Sequence, residues 1–318
     1  MYKRQIVGIG DDAAVIDHYG KQTVISTDML VEGIHFDLMY TPLKHLGYKS
    51  VISNISDIYA MNATPTQITI SIAISNRMSV EAIDEFYSGV LVACNKYHLD
   101  LIGGDTNSSQ KGFIISATAL GEVTPERFVR RNTAQKGDLI CVSGDLGAPY
   151  IGLLFLEREK RIYLENPNIQ PDLENEEFVI GKLLRPEARK DIIDFFKKNE
   201  VPPTAMMDIS DGLSSEILHL TSNSNLGCII YEDKIPIEEK TKLAALKFKI
   251  DPTACALSGG DEYELLFTVH PKDHDKLVLN KQLSVIGYLT EAKEGKYIIT
   301  KGKQKHELTA QGWVHLKK

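Results

Sequence analysis

The chain has 318 residues, 43% of them hydrophobic and 25% charged, with a formal net charge of −7 at pH 7. That length predicts about two domains and ample material for a core. The composition is that of a soluble globular protein, and the negative balance excludes an electrostatic footprint for nucleic acid or an anionic membrane. Cys94, Cys141, Cys228 and Cys255 are widely spaced with no C-x-x-C pair, and they read as buried thiols of a reducing cytosol. No apolar run approaches the ~20 residues of a membrane span, and the N-terminus has no apolar signal core. A cytoplasmic protein is expected.

The chain opens on Gly8-Ile9-Gly10-Asp11-Asp12-Ala13-Ala14. On paper Gly8-x-Gly10-x-x-Ala13 fits the dinucleotide fingerprint. That fingerprint needs a strand before it, a helix after it and a neutral surface for the pyrophosphate. Only seven residues precede Gly8, and two aspartates stand where phosphate would be repelled. Such a loop suits phosphate only with divalent cations in between.

Residues 22–27 alternate and are β-branched, which predicts a strand ending at Asp28; residues 31–36 read as a second short extended piece. From 46 to 61, Val51, Ile52, Ile55, Ile58 and Tyr59 follow helical spacing, with Ser53 and Asp57 stacked on the opposite face. Ile68, Ile70, Ile72 and Ile74 then alternate with small polar residues as a strand. A helix is predicted over 79–98, a Gly-Gly-Asp stretch over 101–107 and a strand over 113–123. The polar segment 130–137 lacks periodicity and marks a domain boundary, giving units 1–135 and 136–318. Beyond it come a strand at 138–143, a turn at 144–147, a surface loop at 166–177 and helices over 177–199. A strand from 205 runs into Asp208-Ile209-Ser210-Asp211-Gly212-Leu213. A helix at 213–223 and a strand at 228–231 precede Ser258-Gly259-Gly260-Asp261-Glu262-Tyr263-Glu264-Leu265. No internal repeat is present. Interleaved helices and strands predict an α/β or α+β protein of two domains.

Five acidic loops share one grammar, small residues followed by Asp at a strand end or helix start. They are Asp11-Asp12, Asp28, Asp105, Asp208 with Asp211, and Asp261-Glu262; Asp57 joins them from a helix face. Each alone has a bland reading: Asp211 as an N-cap, Gly-Gly-Asp as an ordinary turn. Together they exceed what capping requires. Magnesium usually takes only one or two carboxylates per ion, so several ions bridging a polyphosphate is the economical reading. The chain has no G-x-x-x-x-G-K-[ST] loop, no H-E-x-x-H and no G-x-S-x-G elbow, and its nine histidines form no zinc spacing. Arg130 and Arg131 stand at the boundary, as phosphate-binding guanidinia or as a solvated surface pair.

Residues 8–14, Ser26-Thr27-Asp28 with 31–36, Ser56-Asp57…Ala60-Met61, Gly103-Gly104-Asp105-Thr106, 208–213 and 258–265 together resemble the thiamine-monophosphate kinase family. That family lies in the aminoimidazole-ribonucleotide synthetase superfamily of ATP-using enzymes. Val-Glu-Gly-x-His-Phe and Ser-Asp-Gly-Leu are the most telling pieces. The resemblance implies a two-domain aminoimidazole-ribonucleotide-synthetase-like fold, with N-terminal sheets pairing across a homodimer and an α/β C-terminal domain. It implies transfer of the γ-phosphoryl group of ATP to thiamine monophosphate with several magnesium ions and no covalent nucleophile. By position, Asp12, Ser26, Thr27, Asp28, Asp57, Asp105, Asp208 and Asp211 would bind magnesium. Gly104, Asp105, Arg131, Ser210 and Tyr97 would contact ATP. His35, Asp261 and Trp313 would face the thiamine phosphate, with Trp313 alternatively a packing residue.

Three departures stand out. Asp261 and Glu262 are swapped relative to the family's Gly-Gly-Glu-Asp-Tyr-Glu-Leu, and Asn62 replaces a usual Gly. The chain also begins almost at the metal loop, without the family's preceding helical segment, which implies a truncated or artificial start. The alternatives are another ATP-using member of the superfamily, or a catalytically silent nucleotide- or metal-binding relative.

Overall fold

A computed structural model describes residues 5–7, 10–17, 22–75, 78–125 and 127–310. The chain forms two compact units, Met1–Phe128 with Leu184–Ala188, and Val129–Leu183 with Arg189–Lys318. Each unit is one sheet covered by helices, a mixed α/β architecture. Among the described residues no helix is long and apolar enough to cross a membrane.

The first unit contains β1 (Gln5–Val7), β2 (Ala14–Asp17), β3 (Gln22–Val31), α1 (Leu43–Ala60), β4 (Thr64–Ile74), α2 (Val80–Tyr97), β5 (Asp100–Ser108) and β6 (Ile114–Val123). The sheet order is β1-β2-β3-β6-β4-β5, with β5 parallel to β4 and the other pairs antiparallel. In β4, Ile68, Ile70 and Ile72 point to the buried face, as the period-2 alternation dictates. Helix α1 packs on that face and is itself covered by α2, so it is buried almost all round, Ser53 included. Two glycines make the helix pair possible. A Cβ on Gly47 would meet the Phe86 carbonyl at 2.0 Å, and one on Gly89 would meet the Lys44 carbonyl at 1.8 Å. The helices therefore touch backbone to backbone.

The boundaries of α1 and α2 follow from local chemistry. Ser79 caps α2 by accepting the Ala82 N–H at 3.3 Å, and His98 ends it in the left-handed conformation at φ 60°. Past the end of α1, Asn62 adopts φ 58° and donates its side-chain N–H to the Arg127 carbonyl at 3.0 Å. Asparagine is among the few residues that tolerate this region, which accounts for its standing where a glycine is usual. The short segment Leu184–Ala188 returns to this unit. There Tyr97 donates its hydroxyl to Glu187 at 2.7 Å and accepts the Ala188 N–H at 3.0 Å, while Lys96 pairs with the same carboxylate at 2.5 Å.

The second unit runs β7 (Leu139–Ser143), α3 (Ala148–Glu165), α4 (Glu177–Leu184), α5 (Lys190–Asn199), β8 (Ala205–Ile209), α6 (Leu213–Asn223), β9 (Leu226–Tyr231), α7 (Glu239–Lys247), α8 (Pro252–Ser258), β10 (Glu264–Val269), α9 (His274–Leu277), β11 (Leu283–Glu291), β12 (Lys296–Ile299) and β13 (Lys305–Glu307). The order is β13-β12-β9-β11-β7-β10-β8, antiparallel except for β9 with β12. Strands β8 and β10 are buried along their whole length, including the polar side chains of Asp208, Glu264 and Thr268. One core packs α6 (Leu213, Ile217, Leu220) against Met207, Ile209 and Leu266. A second joins α3, α4, α7 and α8 around Phe155, Val179, Ala245 and Cys255.

Candidate active site

In the first unit, Asp57 and Ser26 meet because strand and helix periods are matched by one amide. Ser26 lies on the buried face of β3, and its hydroxyl donates to Asp57 Oδ2 at 2.5 Å. One helical turn earlier, Asn54 is fully buried. Its Nδ2 donates to the Ala117 carbonyl at 3.0 Å and its Oδ1 accepts the Ala119 N–H at 2.9 Å. In the sheet register Ala119 stands opposite Ser26 and Ala117 opposite Asp28. Asn54 thus fixes the height of α1 on the sheet and with it the place of Asp57. Nothing in the sequence beyond a polar residue on an apolar helix face signals this role.

Asp12, in the loop before β2, accompanies this pair: a carboxylate oxygen of Asp12 and one of Asp57 lie within 4.8 Å. The Asp12 N–H donates to the neighbouring Asp11 Oδ1 at 3.0 Å. Two carboxylates and a hydroxyl form an all-oxygen donor set, the chemistry of a hard divalent cation. Thr27 points to the other face, as a consecutive strand residue must, and its hydroxyl is bonded to the Ala117 carbonyl at 3.0 Å and to Thr118. Its side chain is therefore not brought to Asp57. Asp28 is half-buried on β3.

Residues 31–36, expected to be extended, form a turn instead. Gly33 at φ 80° lets the chain fold back, with Gly33 N–H to Phe36 O at 2.8 Å and His35 N–H to Val31 O at 2.9 Å. His35 Nδ1 accepts the Val31 N–H at 3.0 Å, which places the proton of the neutral ring on Nε2. Gly104 and Asp105 are exposed on β5, the outer strand of the sheet. Only glycine fits at 104, since a Cβ there would meet the Ile70 carbonyl at 1.9 Å. Tyr97 is buried, with its hydroxyl committed to Glu187 and Ala188.

In the second unit, Asp208 is 4% exposed near the end of β8, and the chain then turns outward through Ser210 and Asp211. Gly212, at φ 119°, is the N-cap of α6; a Cβ would meet the carbonyl carbon of Ser258 at 2.9 Å. Asp211 is therefore not the cap. Two bonds lace this loop to the Gly-Gly-Asp loop, Asp261 N–H to Ser210 O at 2.8 Å and Tyr263 N–H to Ile209 O at 2.9 Å. Arg131 is half-buried, and its carbonyl accepts the Ser224 hydroxyl at 3.3 Å.

The swapped acids divide cleanly. Asp261 is half-exposed at φ 62° and accepts the Tyr263 hydroxyl at 2.8 Å. Glu262 turns inward, is 6% exposed, and accepts the Gly147 N–H at 2.5 Å. Burial, with Glu264 and Asp145 nearby, holds its carboxyl well above the usual carboxylate range. Glu264 is raised by burial too, but Arg189 and Lys182 oppose the shift. It pairs with Arg189 and accepts the Ser143 hydroxyl at 2.5 Å. Glu216, which sequence reasoning missed, is pushed up to about 9 by burial and by Asp211 and Asp208.

A cavity of about 270 Å³ opens beside α8 and β13, lined among others by Ser214, Glu232, Asp251, Ser258, His306 and Glu307. Its three carboxylates favour a cationic or amine-bearing ring over a phosphate. Trp313 lies outside the described residues.

Two family matches span the chain: AIR synthase related protein, N-terminal domain, over residues 10–123, and its C-terminal domain over residues 135–300. The thiamine-monophosphate kinase of Aquifex aeolicus (strain VF5) is 36% identical over 307 residues, 96% of this chain and 92% of that protein. That of Bacillus subtilis (strain 168) is 31% identical over 320 residues, covering 98% and 94%. Among solved structures, AaThiL complexed with AMPPCP and TMP superposes with a TM-score of 0.82 at 32% identity, covering 97% of this chain and 92% of that one. Hydrogenase maturation protein HypE in complex with ATP, at 16% identity and a TM-score of 0.74, shares the fold.

Proposed function

The chain belongs to the AIR synthase related family and, within it, to the thiamine-monophosphate kinases, and from that premise we propose that it moves the γ-phosphoryl group of ATP directly onto thiamine monophosphate. The P–O bond to the ADP oxygen breaks as a bond forms to a phosphate oxygen of the acceptor, giving thiamine diphosphate. The observation that carries this reading is the set of Asp12, Ser26 and Asp57, an oxygen site held by a neutral donor and suited to a cation beside phosphate.

The acceptor is a phosphate monoester whose second pKa is about 6, so at neutral pH it is already ionised and needs no general base. The obstacle is repulsion between two anions, which makes positioning and charge neutralisation the main requirements. Bound magnesium ions would supply that neutralisation. Asp12, Ser26, Thr27, Asp28, Asp57 and Asp105 in the first unit, and Asp208 and Asp211 in the second, would hold them, Thr27 through its backbone carbonyl. Gly104, Asp105, Arg131 and Ser210 would bind and orient ATP. Tyr97 would join this set through its ring, since its hydroxyl is bonded to Glu187 and Ala188. His35, whose Nδ1 accepts the Val31 N–H, would donate from Nε2 to the thiamine phosphate, and Asp261 and Trp313 would face the same substrate.

The exposed edge of β5 supports pairing of N-terminal sheets in a homodimer, which sedimentation would test. Four buried free cysteines support a reducing, cytoplasmic setting. A coupled ADP-release assay decides the substrate: thiamine monophosphate should turn over and thiamine should not. Turnover with thiamine alone would overturn the assignment.

A further inference from the structure

Asp261 and Tyr263 both adopt left-handed backbone, at φ 62° and 54°, on either side of the inward-turned Glu262. Aspartate tolerates that region, whereas a bulky residue such as tyrosine is rarely found there. Such a conformation persists only where the surrounding structure over-determines it. Here the Asp261 N–H donates to the Ser210 carbonyl at 2.8 Å and the Tyr263 N–H to the Ile209 carbonyl at 2.9 Å. Gly260 lies so close to the same chain that a Cβ would meet the Ser210 carbonyl at 2.4 Å.

With the backbone held in this way, Tyr263 is 5% exposed and its hydroxyl donates to Asp261 Oδ1 at 2.8 Å. Filling that buried space needs only the ring, and phenylalanine would supply it without an oxygen to satisfy. The oxygen is directed to one particular carboxyl. Asp261 is half-exposed, while Glu262 and Glu264 on either side of Tyr263 are buried. A hydroxyl at this distance is a directional donor, so it selects the rotamer of the one acid in the stretch 261–264 that a ligand can reach.

Resting on the reading above that Asp261 faces the substrate, we propose that Tyr263 is a positioning residue for thiamine monophosphate: its hydroxyl holds the Asp261 carboxyl in the orientation that the substrate meets. It acts through Asp261 and makes no contact with the substrate of its own.

Initial rates on the full chain, with each substrate varied in turn, test this. Tyr263→Phe keeps the ring and removes the bond, so the Asp261 carboxyl must be ordered by the substrate itself. The KM for thiamine monophosphate should rise about fivefold, the scale of immobilising one side chain on binding. The KM for ATP and the turnover number should stay within about twofold, as for a loss of uniform binding. Asp261→Gly removes the carboxyl in a residue at ease with positive φ, and should raise the same constant at least tenfold. In that background Tyr263→Phe should change it less than about twofold, since no carboxyl remains to be held; an independent role would add the full fivefold again. Should Asp261→Gly raise the constant while Tyr263→Phe matches the wild type, the role given to Tyr263 is overturned and that of Asp261 stands. The full fivefold in the glycine background also overturns it, because the hydroxyl then acts elsewhere. A Tyr263→Phe chain that fails to fold, or that raises both Michaelis constants together, makes the bond a brace of the loop and overturns the proposal. If Asp261→Gly is without effect, or the wild type does not turn over thiamine monophosphate, the reading of Asp261 fails and takes the inference with it.

Discussion

The two units hold their acids in different ways. In the first, Asp57 is oriented by the Ser26 hydroxyl, a neutral donor. In the second, Glu264 is met by the Arg189 guanidinium and by Lys182, which cancel its charge. The difference separates a carboxylate oriented by a hydroxyl from one paired with cations in the core. Counting acidic residues cannot make that distinction; the donor that each one faces can.

The comparison is tested most severely at Arg189. Removing one partner of a buried pair costs about 3–5 kcal/mol when the other charge is left uncompensated, and Lys182, 3.9 Å from Glu264, holds the cost at Arg189 to the lower end of that range. Arg189→Met should lower the urea midpoint accordingly, and a loss below about 1 kcal/mol would mean that Glu264 does not depend on its cation. Asp57→Asn should behave in the opposite sense. Stability should change by less than about 0.5 kcal/mol, as for an ordinary surface substitution, while turnover falls on the order of a hundredfold. Near-normal turnover at limiting magnesium would place Asp57 among the holding residues.

Two smaller effects divide the swapped pair. Asp261→Asn should raise the KM for thiamine monophosphate about tenfold while leaving that for ATP within about twofold. Equal effects on both constants would remove Asp261 from the substrate side. Glu262 should register in stability instead. Its carboxyl is raised by burial above the ordinary 4.5, so the folded chain holds that proton more tightly than the unfolded chain. Stability from this group is fully present below the ordinary value and is lost as pH rises through the raised one. Glu262→Gln should therefore exceed the wild type by about 1 kcal/mol near pH 8, a gap that closes towards acid pH in thermal melts. A gap that widens in acid would reverse the sign of the argued shift.

Much of the architecture was legible because it rests on period. The alternating isoleucines of β4 follow from which face is buried, and the helical spacing of α1 from its burial against the sheet and α2. The acidic loops were legible as loops, since small residues beside Asp have few other uses. Features that depend on which partner a polar group finds were not. Residues 31–36 have β-branched and aromatic composition, yet the Gly33 turn and the bond to His35 Nδ1 close them into a turn. Asn54 and Glu216 look like ordinary helix residues until the strand or loop each one bonds is known. The return of Leu184–Ala188 to the first unit, and its use of the Tyr97 hydroxyl, has no local signature at all. Asn62 read as a departure from pattern, and its φ of 58° shows that the geometry kept what the residue type changed.

The Asn54 amide has one more consequence. The Ala119 N–H is bonded to a side chain of the overlying helix, so its exchange with solvent deuterium follows the docking of α1 on the sheet. That single amide becomes an internal gauge. If it stays slow to exchange in a variant of Asp57 that has lost turnover, the helix is still seated and the loss is chemical; if it exchanges quickly, the helix has lifted.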